Sequence, residues 1–119
     1  MDTPAKLEFV RRYLQALCDG GLSTIKGFFD DKSTLEDPYG GRCLEGVDRI
    51  GAFYQKAFTQ GVTATQTGEA SCSGDSVAVP YRVKVGPVQI NAITVFQFAD
   101  NGKLRSMRAY WGPENVTTA

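Results

Sequence analysis

Histidine is absent from the sequence. That removes the commonest general base, the Ser-His and Cys-His nucleophile pairs and most familiar zinc ligand sets, so a carboxylate becomes the leading candidate base for any enzymatic role. Cysteine is scarce. Cys18, Cys43 and Cys72 are odd in number, widely spaced and without a CxxC pair, which points to incidental thiols rather than a disulfide framework or a metal knot. Net charge is missing too: thirteen Lys and Arg offset thirteen Asp and Glu, leaving no overall field to attract a phosphate backbone or an anionic membrane. Neither nucleic acid nor membrane is therefore expected as a partner. No apolar run approaches the roughly 18 residues of a membrane span, and MDTPAKLEFVRRY lacks the basic start and unbroken apolar stretch of a signal peptide, so a cytoplasmic location is expected. GxGxxG, P-loop, GxSxG and EF-hand patterns are also lacking, and nothing calls for a nucleotide, flavin or metal cofactor. The Asn115-Val116-Thr117 sequon would matter only in a secreted protein.

What is present fits one domain over residues 1–119, with 42% hydrophobic and 22% charged residues, an ordinary globular balance that can bury a real core. Thr3-Pro4 reads as an N-cap with proline at the first helical position, and Gly20-Gly21 stops the apolar series Leu7, Val10, Leu14, Leu17, Cys18, giving a helix over about 4–19. A shorter helix is expected over 23–31, capped by Ser23 and with Ile25, Phe28 and Phe29 on its apolar side. A third runs from about Val47 to Phe58. Between the last two, STLEDPYGGRCLEG reads as a short strand, a proline break and a glycine-rich loop. After Gly61 the pattern alternates with period two, punctuated at SCSGD, GP and ADNG, and predicts four antiparallel strands at about 62–70, 76–85, 88–98 and 103–111. Helices first and a meander of strands afterwards argue for α+β: three helices packed on a curved antiparallel sheet that can curl round an apolar pocket.

Hydrogen-bonding side chains on inward faces are the candidates for chemistry, because a buried polar group must be paired or have a task. Tyr13 lies between Val10 and Leu17 on the first helix, and Tyr54 between Ile50 and Ala57 on the third. Asp37 shares a face with Leu35 on the short strand, and Thr94 sits among Ile90, Ala92, Phe96 and Phe98 on one face of the third long strand. Taken singly, each has an ordinary packing or turn role. Together, one carboxylate and several hydroxyls in an apolar pocket, with no basic residue among them, can take a proton from carbon and hydrogen-bond the resulting oxyanion. The substrate would be greasy and uncharged. Phe53, Phe58, Tyr81, Phe96, Phe98 and Trp111 are aromatics available to line such a pocket.

At this point the sequence resembles a known family, the steroid Δ-isomerases or ketosteroid isomerases, whose fold is the nuclear transport factor two-like cone of the SnoaL-like proteins. The resemblance runs through RRYLQAL (11–17), DDKSTLEDPYGG (30–41), the segment from Gly46 to Tyr54 ending in AFY, AITVFQF (92–98) and SMRAYWGPEN (106–115), with EDP and AYW the most specific. It implies that Asp37 shuttles a proton between C4 and C6 of a 3-oxo-Δ5-steroid while Tyr13 donates to the dienolate oxygen, as is established for these enzymes. It also implies that Tyr54 supports Tyr13, that Phe53, Trp111 and Met107 occupy apolar positions around the steroid, and that the chain forms a homodimer through the outer face of the sheet. Two positions depart from the family pattern. Thr94 stands where the best-studied members have a protonated Asp as second oxyanion donor, and Phe29 where they have a third tyrosine. Thr94 can still donate one neutral hydrogen bond. The competing readings are a non-catalytic member of the fold that binds a hydrophobic molecule or dimerises, and an epoxide hydrolase, which would need an inward arginine between two acids.

Overall fold

A computed structural model describes residues 1–118, which form three α-helices, eight strands and a 3-10 turn at Pro113–Asn115. The first helix, α1 (Thr3–Asp19), is capped by Asp2, whose side chain accepts from the Ala5 amide, so Thr3 is its first residue rather than its cap, and Pro4 is the second helical residue rather than the first. It ends at Gly20 in the left-handed region, φ 65°, where glycine carries no Cβ penalty. Its buried face is Phe9, Val10, Tyr13, Leu14, Ala16 and Leu17, while Leu7 and Cys18 at the edges of the expected stripe are exposed. The second helix, α2 (Leu22–Lys26), is only 5 residues long and starts at Gly21 without a side-chain cap. Gly27 ends it, and Phe28 and Phe29 reach the core from the turn that follows. Helix α3 (Val47–Phe58) matches its expected span and buries Ile50, Gly51 and Tyr54.

The strands β1 (Thr34–Glu36), β2 (Cys43–Glu45), β3 (Val62–Gln66), β4 (Ser71–Ser73), β5 (Ser76–Val85), β6 (Val88–Phe98), β7 (Leu104–Tyr110) and β8 (Val116–Thr118) form one sheet ordered β2-β1-β7-β6-β5-β3, with β4 on β5 and β8 on β6. The α+β expectation holds, and the sheet is mixed rather than wholly antiparallel. β1 pairs parallel to β7, Leu35 beside Met107, which is open to them because about seventy residues, not a hairpin turn, separate the two. The strand expected over 62–70 ends at Gln66 as β3, and β4 falls within SCSGD, expected as a turn; both pair with β5. Part of the loop expected after Pro38 is β2, and β8 falls beyond the last expected strand. β5 and β6 form the long central hairpin, turning through Gly86 (φ 57°) and Pro87 between the paired Val85 and Val88. Helix α1 closes one half of the inward face: Phe9 packs edge-on against Phe28, Phe96 and Phe98 at 4.8, 5.1 and 5.0 Å between ring centroids. Ser33, fully buried, ties β1 to β7 by donating to the Leu104 carbonyl at 2.6 Å. No helix among the described residues is long and apolar enough to cross a membrane.

Candidate active site

The other half of the inward face is not closed. Beyond the edge of α1 it borders a cavity of about 550 Å³, whose far wall is α3. Tyr13 and Leu17 of α1, Phe53, Tyr54, Ala57 and Phe58 of α3, Tyr81, Val83 and Val85 of β5, Ile90 and Ala92 of β6, and Ala109 of β7 line it with Asp37 and Trp111. The lining is mainly apolar, and its buried polar groups are three phenols. Tyr13, Tyr54 and Tyr81 are all buried, and Asp37 is half-buried in the turn after β1.

The phenols form two short chains. Tyr13 Oη and Tyr54 Oη lie 2.6 Å apart, and Tyr54 Oη donates to Met107 Sδ at 3.2 Å. Each phenol has one hydrogen, so with Tyr54 donating to the thioether, Tyr13 gives its own hydrogen to Tyr54. An oxyanion in the cavity reverses the order: Tyr54 donates to Tyr13, and Tyr13 to the ligand. On the sheet side Thr94 Oγ1 donates to Tyr81 Oη at 3.1 Å, which leaves the Tyr81 hydrogen to point elsewhere. Burial holds the Tyr13 and Tyr54 hydroxyls well above the usual phenol range, and pushes Tyr81 up to about 12 against the pull of the Thr94 hydrogen bond. All three are neutral donors near pH 7.

Asp37 accepts a hydrogen bond from the Trp111 indole, Nε1 to Oδ1 at 2.6 Å. Desolvation raises its carboxyl above the ordinary carboxylate value of 3.8, and the Trp111 hydrogen bond and the Arg42 charge oppose the rise. A carboxylate with raised basicity, held by one donor and opposite neutral phenols, is suited to accept a proton from carbon.

The residues expected at the site divide accordingly. Asp37, Tyr13, Tyr54, Phe53, Trp111 and Tyr81 line one cavity. Thr94, Phe96 and Met107 do not; they are fully or nearly fully buried beneath it. Thr94 is one step behind Tyr81, because on β6 only Ile90 and Ala92 lie beyond the reach of α1. Phe96 packs under Phe9 and Tyr13. Phe29 is buried with its ring centroid 6.2 Å from that of Tyr54. The sequence reading assigned Trp111 no hydrogen bond to Asp37, although Met107, Ala109 and Trp111 alternate towards one face. It also expected no basic residue in the pocket, whereas Arg42 and Lys56 both border it.

Comparison with known proteins agrees with this fold. The chain matches the SnoaL-like domain over residues 10–107. It belongs to the SnoaL-like family. It is 32% identical to a steroid Delta-isomerase of Nocardioides simplex over 111 residues, 90% of this chain and 89% of that protein. A solved structure of the epoxide hydrolase/cyclase-like enzyme SalBIII, described for pyran ring formation in the polyether salinomycin, superposes with a TM-score of 0.89 at 30% identity and covers 99% of this chain and 98% of that one. Both of these relatives are enzymes, and this SnoaL-like chain has the same catalytic type of fold.

Proposed function

We propose that the protein is a cofactor-independent isomerase that moves the double bond of a 3-oxo-Δ5-steroid, or of a compound with the same unsaturated ketone, to the Δ4 position. The observation that carries this reading is that one carboxylate of raised basicity and the neutral phenols of Tyr13 and Tyr81 line the same apolar cavity. Asp37 takes the proton from C4. The electron pair left behind moves through the carbonyl to form a dienolate, and the same carboxyl returns the proton to C6. Tyr13, with Tyr54 behind it, and Tyr81, with Thr94 behind it, donate to the dienolate oxygen as its charge develops, in a site from which water is largely excluded. The Trp111 indole fixes the Asp37 carboxylate while the proton moves. Phe53 borders the cavity as an apolar wall for the rings, and Met107 acts through Tyr54. We extend the proposal to a homodimer formed through the outer face of the sheet, where the paired Ile93 and Tyr110 are 53% and 42% exposed.

The test is the ultraviolet absorbance of the conjugated enone formed from 5-androstene-3,17-dione. Asp37→Asn keeps the shape and the Trp111 hydrogen bond but cannot take the proton, so turnover should fall by about 10² to 10⁴-fold. Only ionised Asp37 is a base, so kcat/KM should rise with pH through a value above 3.8 and then stay flat through the mildly alkaline range, since Tyr81 does not ionise until about 12. An inactive wild type that still binds steroids would support the binding-module reading instead.

The likeness to SalBIII favours a second reading, epoxide opening. There Asp37 would accept the proton of an attacking hydroxyl while a phenol gave one to the epoxide oxygen. Only one acid lines the cavity, which ranks this reading second. Conversion of a hydroxy-epoxide to a cyclic ether, without enone formation, would reverse the ranking.

A further inference from the structure

The two ends of the cavity differ in charge. At the buried end are the phenols of Tyr13, Tyr54 and Tyr81; at the outer end are Arg42, Lys56 and Gln60, all exposed, and the half-buried Asp37 adjoins Arg42, its amide donating to the Arg42 carbonyl at 3.3 Å. Arg42 comes from the loop before β2, and its guanidinium lies over the Phe53 ring at 5.8 Å from the centroid. That ring is part of the cavity wall, so the charge is braced against the lining rather than free in solvent. Lys56 follows Phe53 by three residues, one turn further along the same side of α3. Gln60, just past the end of the helix, adds an amide. Neither cation forms an ion pair, those among the described residues joining Arg11 to Glu8 and Arg108 to Glu36, although the Arg42 charge is felt at Asp37. In a chain of zero net charge, two cations outside any ion pair border an apolar cavity whose one lining acid, Asp37, adjoins Arg42.

We infer that the ligand is an amphiphile: a hydrophobic body whose carbonyl reaches the tyrosines and whose other end carries an anionic group, a carboxylate or a sulfate, held by Arg42 and Lys56. This rests on the proposed function, because it takes the buried end as the carbonyl end. It replaces the uncharged substrate expected from sequence with an acidic one. Each cation is solvated, so each contributes modestly to affinity. Together they favour one orientation of entry, since the buried end offers only neutral phenols and the exposed rim carries both cations. They also speed encounter at low ionic strength, where their field reaches beyond the surface.

The experiment compares two phenolic steroids, 17β-estradiol and its 17-sulfate. The phenol of each stands in for the dienolate at the tyrosines, and only the second carries an anion at the opposite end. Dissociation constants are measured by calorimetry for wild type, Arg42→Gln, Lys56→Gln, the double variant and Tyr13→Phe, at low and high salt. The expected result is a preference of roughly 3- to 10-fold for the sulfate in wild type at low salt, reduced by each single substitution, abolished in the double variant and weakened by salt. Equal affinities in wild type, or a preference that survives the double substitution, would overturn the inference. Tyr13→Phe separates the two failures. If it weakens estradiol binding while the sulfate gains nothing over estradiol, the mouth inference falls and the catalytic reading stands. If neither phenol binds, or Tyr13→Phe leaves both affinities unchanged, the carbonyl end is misplaced and both readings fall.

Discussion

One face of one sheet supplies both the core and the cavity, and its two halves differ in what lies over them. Over Val77, Val79, Thr94, Phe96 and Phe98, helix α1 leaves no gap, and each of these side chains is 5% exposed or less. Over Tyr81, Val83, Val85, Ile90 and Ala92 the same strands β5 and β6 continue in the same alternation, but α1 has passed and α3 stands off across a cavity. The boundary runs between Thr94 and Ala92 and between Val79 and Tyr81. The polar groups gather at this boundary because here a hydroxyl can be anchored to the packed side and still reach the open one. Rigid support behind and open space in front are what a preorganised donor requires.

The sharpest break of this comparison is at Tyr13, the α1 phenol that lines the open half. Tyr13→Phe removes an oxyanion donor and leaves the ring in place, so kcat should fall by about 10² to 10³-fold with little change in substrate affinity. Steady-state kinetics with a separate binding measurement checks this; a loss confined to affinity would make Tyr13 a packing residue. The closed half should answer to stability instead. Phe96→Ala, at a site with no exposure, should cost about 3–5 kcal/mol in chemical denaturation, because the hole cannot be filled by water or a neighbour. Phe53→Ala, on the open wall, should cost only about 1–2 kcal/mol, since no sealed void is left. Similar losses at the two positions would mean that the open half is packed as tightly as the closed one.

Periodicity identified the faces well and the halves not at all. Spacing of 3.6 placed Tyr13 and Tyr54 inward, and both are buried against each other. Spacing of two placed Ile90, Ala92, Thr94, Phe96 and Phe98 on one face, as the burial of β6 agrees. Period two cannot say how far along a strand the covering helix extends, which is why Thr94 was expected at the cavity and lies behind Tyr81. The parallel pairing of β1 with β7 left no local signal because it joins segments distant in sequence. Arg42 and Lys56 were missed for a different reason: a cation at a cavity mouth is solvated, and in sequence it looks like any other surface charge. Asp37 was legible through its neighbour Leu35, two residues before it on the same face, but its partner Trp111, 74 residues away, was not identifiable as one.

The smallest expected effect is the one that best resolves the boundary. Thr94→Val keeps the shape and removes the hydrogen bond to Tyr81, so turnover should drop by about 2- to 10-fold, the range of one neutral hydrogen bond. Tyr81→Phe should cost about 10-fold or more, because it removes the donor itself. The informative protein is the double variant. If Thr94 acts only through Tyr81, then in the Tyr81→Phe background the valine substitution has nothing left to disturb, and the double variant should turn over at the Tyr81→Phe rate. If instead the threonine hydroxyl met the oxyanion directly, as the family pattern in the sequence implies, the two losses would multiply. Measuring kcat for the four proteins of this cycle decides between a donor and its support. The outcome also fixes where the closed half of the sheet ends, because a threonine that touches substrate would have to belong to the open one.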